Sequence, residues 1–212
     1  MDDFRFVEQC DSYFEDVKNG KKELKEKIFS DHPRVKNLYR WVKTNSEKSY
    51  KKDFVHIYKK KCAYCGVSIE VVPIDYFQID HFVPIEQWND PSEVNDIDNL
   101  VLACQRCNHN KGDFYIDDKQ IRDKVFPDNS DFIDSFVRDK DYYIVVSDKA
   151  KKHQGIIDFY NRLRLHDEVH RLDYLLMRLK KLENNEKVKD DPELKCMLQE
   201  CENRIQEKRN WM

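Results

Sequence analysis

The chain has 212 residues, of which 40% are apolar and 37% charged, with four glycines and a net charge of −3. That length suits one domain or two small ones, and the charged, glycine-poor composition points to a helix-rich chain with room for a core. No apolar run approaches the ~18 residues of a membrane span and the acidic start MDDFRFVEQC is unlike a secretory leader, so a cytoplasmic chain is expected, in which the seven cysteines would not form a disulfide framework.

Taken in chain order, Phe4, Phe6, Val7, Cys10, Tyr13, Phe14 and Val17 recur at helical spacing. They predict a helix over 3–18, ended by Asn19-Gly20. A second helix is expected over 21–29. Ser30-Asp31-His32-Pro33 reads as the start of a third, with Val35, Leu38, Tyr39 and Val42 on one face. A fourth, over 47–59, delivers the chain to Cys62. From Arg34 to Lys61 ten Lys and Arg stand against two acids, a local charge of +8. Such a stripe suits phosphate contacts, because counterion release depends on the face presented and not on the whole-chain sum. The plainer reading is a solvated helix face. Arg34, Lys36, Arg40 and Lys43 are spaced to share a side opposite Val35, Leu38 and Val42.

Residues 62–112 change character. VVPIDYFQIDHFVPI contains a β-rich run and VNDIDNLVLAC a second candidate strand. Residues 113–148 are acidic and aromatic, with a strand expected at Tyr142–Val146. Residues 62–148 together hold seven basic and eighteen acidic side chains. Helical patterning resumes at Lys149. Ile156, Ile157, Phe159, Tyr160, Leu163 and Leu165 form one apolar set, Val169, Leu172, Leu175, Leu176 and Leu179 another. Pro192 can open a last helix to about residue 208. The expected organisation is α+β: a helical segment 1–61, a cysteine-rich unit 62–112, and a mixed then helical segment 113–212.

CAYC (62–65) and CQRC (104–107) are two C-x-x-C pairs separated by 38 residues. Zinc favours four thiolates in a tetrahedron, and each pair presents two sulfurs from one tight turn. Gly66 supplies the backbone freedom such a turn needs. With Cys62, Cys65, Cys104 and Cys107 all on the metal, no open position remains, so this zinc is expected to be structural. Cys10, Cys196 and Cys201 fall in helical patterns and read as ordinary thiols.

The quartet brackets Asp80-His81, Asn99 and Asn108. In the order CAYCG, IDHFVPI, DNLVLACQRCNHNKG, the chain resembles the HNH endonucleases with a zinc-bound ββα-metal core. The resemblance covers about a quarter of the chain. It implies hydrolysis of DNA phosphodiester bonds. His81 suits a general base, because an imidazole accepts a proton near neutral pH. Asp80 suits a hard divalent cation. The family places a second ligand at Asn108, and one carboxylate plus one amide would leave several positions to water and phosphate, which suits Mg²⁺ or Mn²⁺. In the family Asn99 cross-links the loop and orients the histidine. Lys111, one turn after Asn108, is placed to reach a phosphate. Lys59, Lys60, Lys61 and Arg40 are the further DNA-binding candidates.

His109 and His56 read as surface or DNA-facing, and His32, His153, His166 and His170 as structural or exposed. An acidic loop, Glu86 to Asp98, is unfavourable near DNA, so it is expected to project away or touch a partner. The tail from Asp141 on, with Asn161, Leu165 and Arg171, is similar to bacterial HNH proteins that include the HNH component of Septu-type anti-phage systems, which works beside an ATPase subunit. The rival function is a non-catalytic zinc module that binds nucleic acid or protein.

Overall fold

The computed structural model describes the chain except residues 1, 2, 8–13, 15, 45–48, 89, 184 and 212, together with the side chains of 91, 92 and 187. Its first helix, α1 (Val17–Asp31), buries Val17, Lys21, Leu24 and Ile28, the three-to-four spacing of one helix face. This corrects the expected helix over 3–18. Residues 3–7 are turn or irregular, and α1 runs straight through Asn19-Gly20; Cys10, Tyr13 and their neighbours lie outside the described residues. Gly20 does not end a helix. A Cβ there would come 3.1 Å from the Ile57 side chain, so the glycine admits a neighbouring helix closely. Phe4 and Val7 are buried without being helical, Phe4 against the rings of Phe132 and Phe136 at 5.7 and 5.8 Å.

The third expected helix is shorter and later than its pattern suggests. It is α2 (Leu38–Lys43), capped by Asn37, whose Oδ1 accepts the Arg40 N–H at 2.9 Å. Leu38 and Val42 face the core, while Arg40 and Lys43 are exposed. The fourth is α3 (Lys51–Ile57), which buries Phe54 and Val55.

Strand β1 (Phe77–His81) pairs antiparallel with β2 (Leu100–Cys104), in the register Phe77 to Cys104, Asp80 to Val101 and His81 to Leu100. A one-turn helix α4 (Pro91–Val94) lies in the connection between them. Helix α5 (Gln105–Lys111) starts directly after Cys104. This ββα unit lies within the expected 62–112 span, and the mixture of helix and small sheets is the α+β class.

Beyond it come α6 (Lys119–Lys124), capped by Asp118, and α7 (Asp131–Ser135). The strand expected at Tyr142–Val146 is β4 (Ile144–Val146), paired antiparallel with β3 (Phe136–Arg138), which the patterning had not singled out. Helix α8 (Gln154–Arg162) sends Phe159 into the core between Tyr64 and Phe136, with ring centroids 6.0 and 6.2 Å away. Helix α9 (Glu168–Leu182), the short α10 (Glu186–Lys189) and α11 (Pro192–Asn210) complete the chain. Among the described residues α11 buries no side chain fully and is pinned to α9 by Arg209–Asp173 and Lys208–Glu168 ion pairs. No helix among the described residues is long and apolar enough to cross a membrane.

Residues from all three expected segments share one core, from Phe4 through Phe54, the four cysteines and β2 to Phe136, Phe159 and Met177. Buried polar ties run through it. Lys21 pairs with Asp128, and the Tyr58 hydroxyl donates to Asp128 Oδ1 at 2.8 Å. Arg5 donates to the Ala63 carbonyl at 2.7 Å, joining the N-terminal segment to the first cysteine knuckle.

Candidate active site and metal centre

The two cysteine pairs meet at one end of the β1–β2 ladder. Gly66, at φ 80, closes the first turn, with its N–H donating to the Cys62 carbonyl at 2.9 Å. The Ala63 N–H donates to the Leu102 carbonyl at 2.7 Å, which fastens that turn onto β2. Cys104 ends β2 and Cys107 lies one turn into α5. All four thiols are buried and their sulfurs lie within 4.8 Å of one another. Sulfurs at the corners of a zinc tetrahedron are about 3.8 Å apart, and the Cys65 and Cys104 sulfurs are 3.8 Å apart. The donor set and its geometry fit Zn²⁺ with every position taken by protein.

Asp80 and His81 sit at the other end of the ladder. Successive strand residues face opposite ways, so the carboxylate and the imidazole meet different neighbours. Asp80 shares its face with Gln78, under α5. There the Asn108 amide donates to Gln78 Oε1 and the Lys111 ammonium lies 3.1 Å from Asp80 Oδ2. The Tyr64 hydroxyl, carried by the first knuckle, donates to Asp80 Oδ2 at 2.6 Å. Asp80 is thus buried but doubly bonded. Burial pushes its carboxyl above the usual carboxylate range, and Lys111 and Tyr64 oppose that rise.

His81 faces α2 and the acidic loop. Its ring lies 4.4 Å from that of Tyr39, and its Nε2 is 3.2 Å from Asn95 Oδ1. An amide oxygen only accepts, so Nε2 carries the proton in this pair and Nδ1 keeps its lone pair. Asn95 also accepts the Tyr39 N–H through its carbonyl at 3.2 Å. Half-burial lowers the imidazole's pKa, and the positive charges of Lys111 and Lys43 lower it further against the Asn95 bond. The ring is therefore neutral at physiological pH, as a proton acceptor must be.

Asn99 is buried. Its Oδ1 accepts the Val83 N–H at 2.9 Å, and its Nδ2 donates to the Val83 and Val94 carbonyls at 3.0 and 3.1 Å. It laces the loop after His81 to the segment before β2.

Lys111 is a correction. It was expected to reach a phosphate, but it is 1% exposed and its ammonium is directed at Asp80 and, at 2.8 Å, at the His81 carbonyl. Lys61 is likewise buried, and its backbone bridges to Ser68, so it too is not placed for a phosphate contact. Lys59 and Lys60 are exposed but adjoin Cys62 at the zinc end, whereas Arg40 and Lys43 are exposed on α2, Lys43 near enough to His81 to act on its charge. The acidic loop meets its own chain: Lys25 of α1 lies 2.6 Å from Asp96 and 3.6 Å from Asp98.

Tyr64, Tyr39 and Asn95 escaped the sequence reading. Tyr64 stands between two cysteines and has the signature of a spacer. Asn95 lies in a loop whose only sequence signal is acidity.

Residues 62–114 match the family model described as HNH endonuclease. The match spans both knuckles, β1, β2 and α5. No curated protein and no solved structure matches the chain.

Proposed function

We propose, from the HNH endonuclease domain at residues 62–114, that this chain hydrolyses phosphodiester bonds of DNA with His81 as general base. One observation carries the reading. At one strand end a neutral imidazole with an open Nδ1 stands back to back with a carboxylate that α5 covers with Asn108 and Lys111. In the proposed step, Nδ1 takes a proton from water, the water oxygen attacks phosphorus, and the bond to the leaving sugar oxygen breaks. Asn95 holds the ring in the acceptor tautomer, and Tyr39 limits its rotation.

Asp80 and the Asn108 amide oxygen are the residues to hold Mg²⁺ or Mn²⁺. Both are hard oxygen donors on one face of the unit, and a carboxylate has lone pairs beyond those met by Lys111 and Tyr64. A divalent cation there would supply charge neutralisation at the phosphate. DNA is the proposed substrate because Arg40 and Lys43 are exposed on α2, the helix that also carries Tyr39 against the His81 ring, and their positive charges suit phosphates. Lys59 and Lys60 would extend that track towards the zinc end. Work beside an ATPase subunit in anti-phage defence is supported by the tail resemblance. In the structure Leu165 of that tail is buried and Arg171 donates to the Asp141 carbonyl at 2.7 Å.

The rival, a non-catalytic zinc module, is favoured by the closure of Asp80 under Lys111 and Tyr64. Plasmid nicking with Mg²⁺, Mn²⁺ or EDTA separates the two. His81→Ala is expected to lose cleavage by at least a hundredfold, the contribution of a general base, while DNA binding persists. Near-full cutting by His81→Ala would refute the base assignment, and no cutting by the wild type with either metal would favour the rival.

A further inference from the structure

The two ends of the Asn108 amide are not equivalent towards a cation. The oxygen has lone pairs to give, whereas the NH₂ nitrogen only donates. The ends are similar in size, so an unanchored amide can present either one. Here one end is taken. Asn108 Nδ2 donates to Gln78 Oε1, from α5 across to β1, while Asn108 Oδ1 accepts no bond from any described residue. Strand alternation puts Gln78 in place for this contact. It stands two residues before Asp80 and so on the same face of β1, about 7 Å away along the strand. Phe77 and Ile79, which face the other way, are buried, but Gln78 is exposed. Its own Nε2 bonds no described residue, so the Asn108 contact is the one polar interaction that this side chain makes among them.

We infer that Gln78 is a positioning residue for the divalent-cation site: it holds the Asn108 amide by its nitrogen and so reserves the oxygen for the cation. The inference rests on the proposed reading of Asp80 and Asn108 as the metal-holding pair, and it adds a residue that acts through Asn108. Asp80 already has such supports, the Tyr64 hydroxyl and the Lys111 ammonium. Gln78 does for the amide what they do for the carboxylate. An acceptor is required at position 78 for this, and glutamine has one on a side chain long enough to reach the neighbouring helix. Partners that orient metal ligands typically contribute ten- to a hundredfold in metal affinity. An exposed amide held by one bond belongs at the lower end, about tenfold.

Mn²⁺ binding to the full zinc-loaded chain without DNA, followed by loss of the free-ion electron paramagnetic resonance signal, reads this site independently of cleavage. Gln78→Met, which keeps the length and removes the acceptor, is expected to weaken Mn²⁺ binding about tenfold with the urea midpoint unchanged. Gln78→Glu keeps the acceptor and is expected to bind Mn²⁺ at least as tightly as the wild type. Because that carboxylate also adds charge, the deciding comparison is a double-mutant cycle with Asn108. In the Asn108→Ala background, Gln78→Met should weaken Mn²⁺ no further. Unchanged affinity in the single Gln78→Met variant would overturn the inference, as would the same loss with and without Asn108. A wild-type chain that binds no Mn²⁺, or Asn108→Ala binding it as tightly as wild type, would remove this inference together with the metal pair. A chain that passes the cycle yet cuts no DNA would lose only the nuclease reading.

Discussion

Lys111 shows how one side chain can invert a motif-based expectation. A lysine one turn beyond a metal-ligand position invites a phosphate contact, yet burial at 1% exposure beside Asp80 makes it the counter-charge of a buried carboxylate. Removing one partner of such a pair leaves an unpaired buried charge and typically costs about 3–5 kcal/mol. Lys111→Met is therefore expected to lower stability by about that amount in urea unfolding; a loss below about 1 kcal/mol, the range of an exposed pair, would return Lys111 to the surface. His170 makes a second residue-scale prediction. Burial pushes its pKa down to about 4, against about 6.5 unfolded. The unfolded chain then binds more protons between those values, so stability rises with pH. The contribution is full above about pH 6.5 and is lost as pH falls towards 4, about 3 kcal/mol in all. His170→Leu should flatten the decline of the urea midpoint between pH 6.5 and 4.5 relative to wild type. Equal slopes in the two proteins would mean that His170 does not contribute.

Among the elements, the first knuckle does more than present sulfurs. Its Tyr64 reaches Asp80, its Ala63 joins β2, and its Gly66 lies against the backbone of Arg5. A Cβ at Gly66 would come 2.7 Å from Arg5 Cβ and 2.8 Å from Arg5 Cα, with φ at +80. A side chain pays for that conformation, and the contact forces backbone to move. Gly66→Ala is expected to destabilise by about 2–4 kcal/mol, read from the thermal or urea midpoint. A change within about 0.5 kcal/mol, as at ordinary surface sites, would show that Arg5 does not rest on the turn. The acidic loop plays a similar part at the other end of the ladder. Asn95 bridges α2 to His81, and Asp96 and Asp98 are met by Lys25, so part of the loop's charge holds helix α1.

For the whole molecule, the metal is expected to be part of the fold. The four thiols belong to the same core as Phe4, Phe54 and Phe159, and structural zinc sites contribute folding energy directly. One equivalent of zinc per chain should be found by elemental analysis. A chelator strong enough to strip it should abolish the near-ultraviolet circular dichroism of the packed aromatics. Protein purified without chelators and containing no zinc would overturn this. The loss should reach the flanking segments too, because described residues of both, such as Phe4, Phe54, Phe136 and Phe159, belong to the same core as the knuckles.

The zinc quartet, the ββα unit, Asp80-His81 and the last helix from Pro192 were all legible in the sequence, because each is local: a turn with two sulfurs, a strand of alternating faces, a proline that opens a helix. The helical pattern at Phe4 to Val17 was also legible but misleading. Phe4 and Val7 are buried without a helix, Phe4 against Phe132 of α7 and Phe136 of β3, far along the chain, and burial alone can place apolar residues in this way. Only the tertiary structure decided that Gly20 is a contact with Ile57, that Lys111 answers Asp80, and that Tyr64, Tyr39 and Asn95 set the surroundings of the two central side chains. Those roles depend on distances between segments 14 to 42 residues apart, which no periodicity records, because the energy of a buried charge or an oriented imidazole depends on which groups surround it in space.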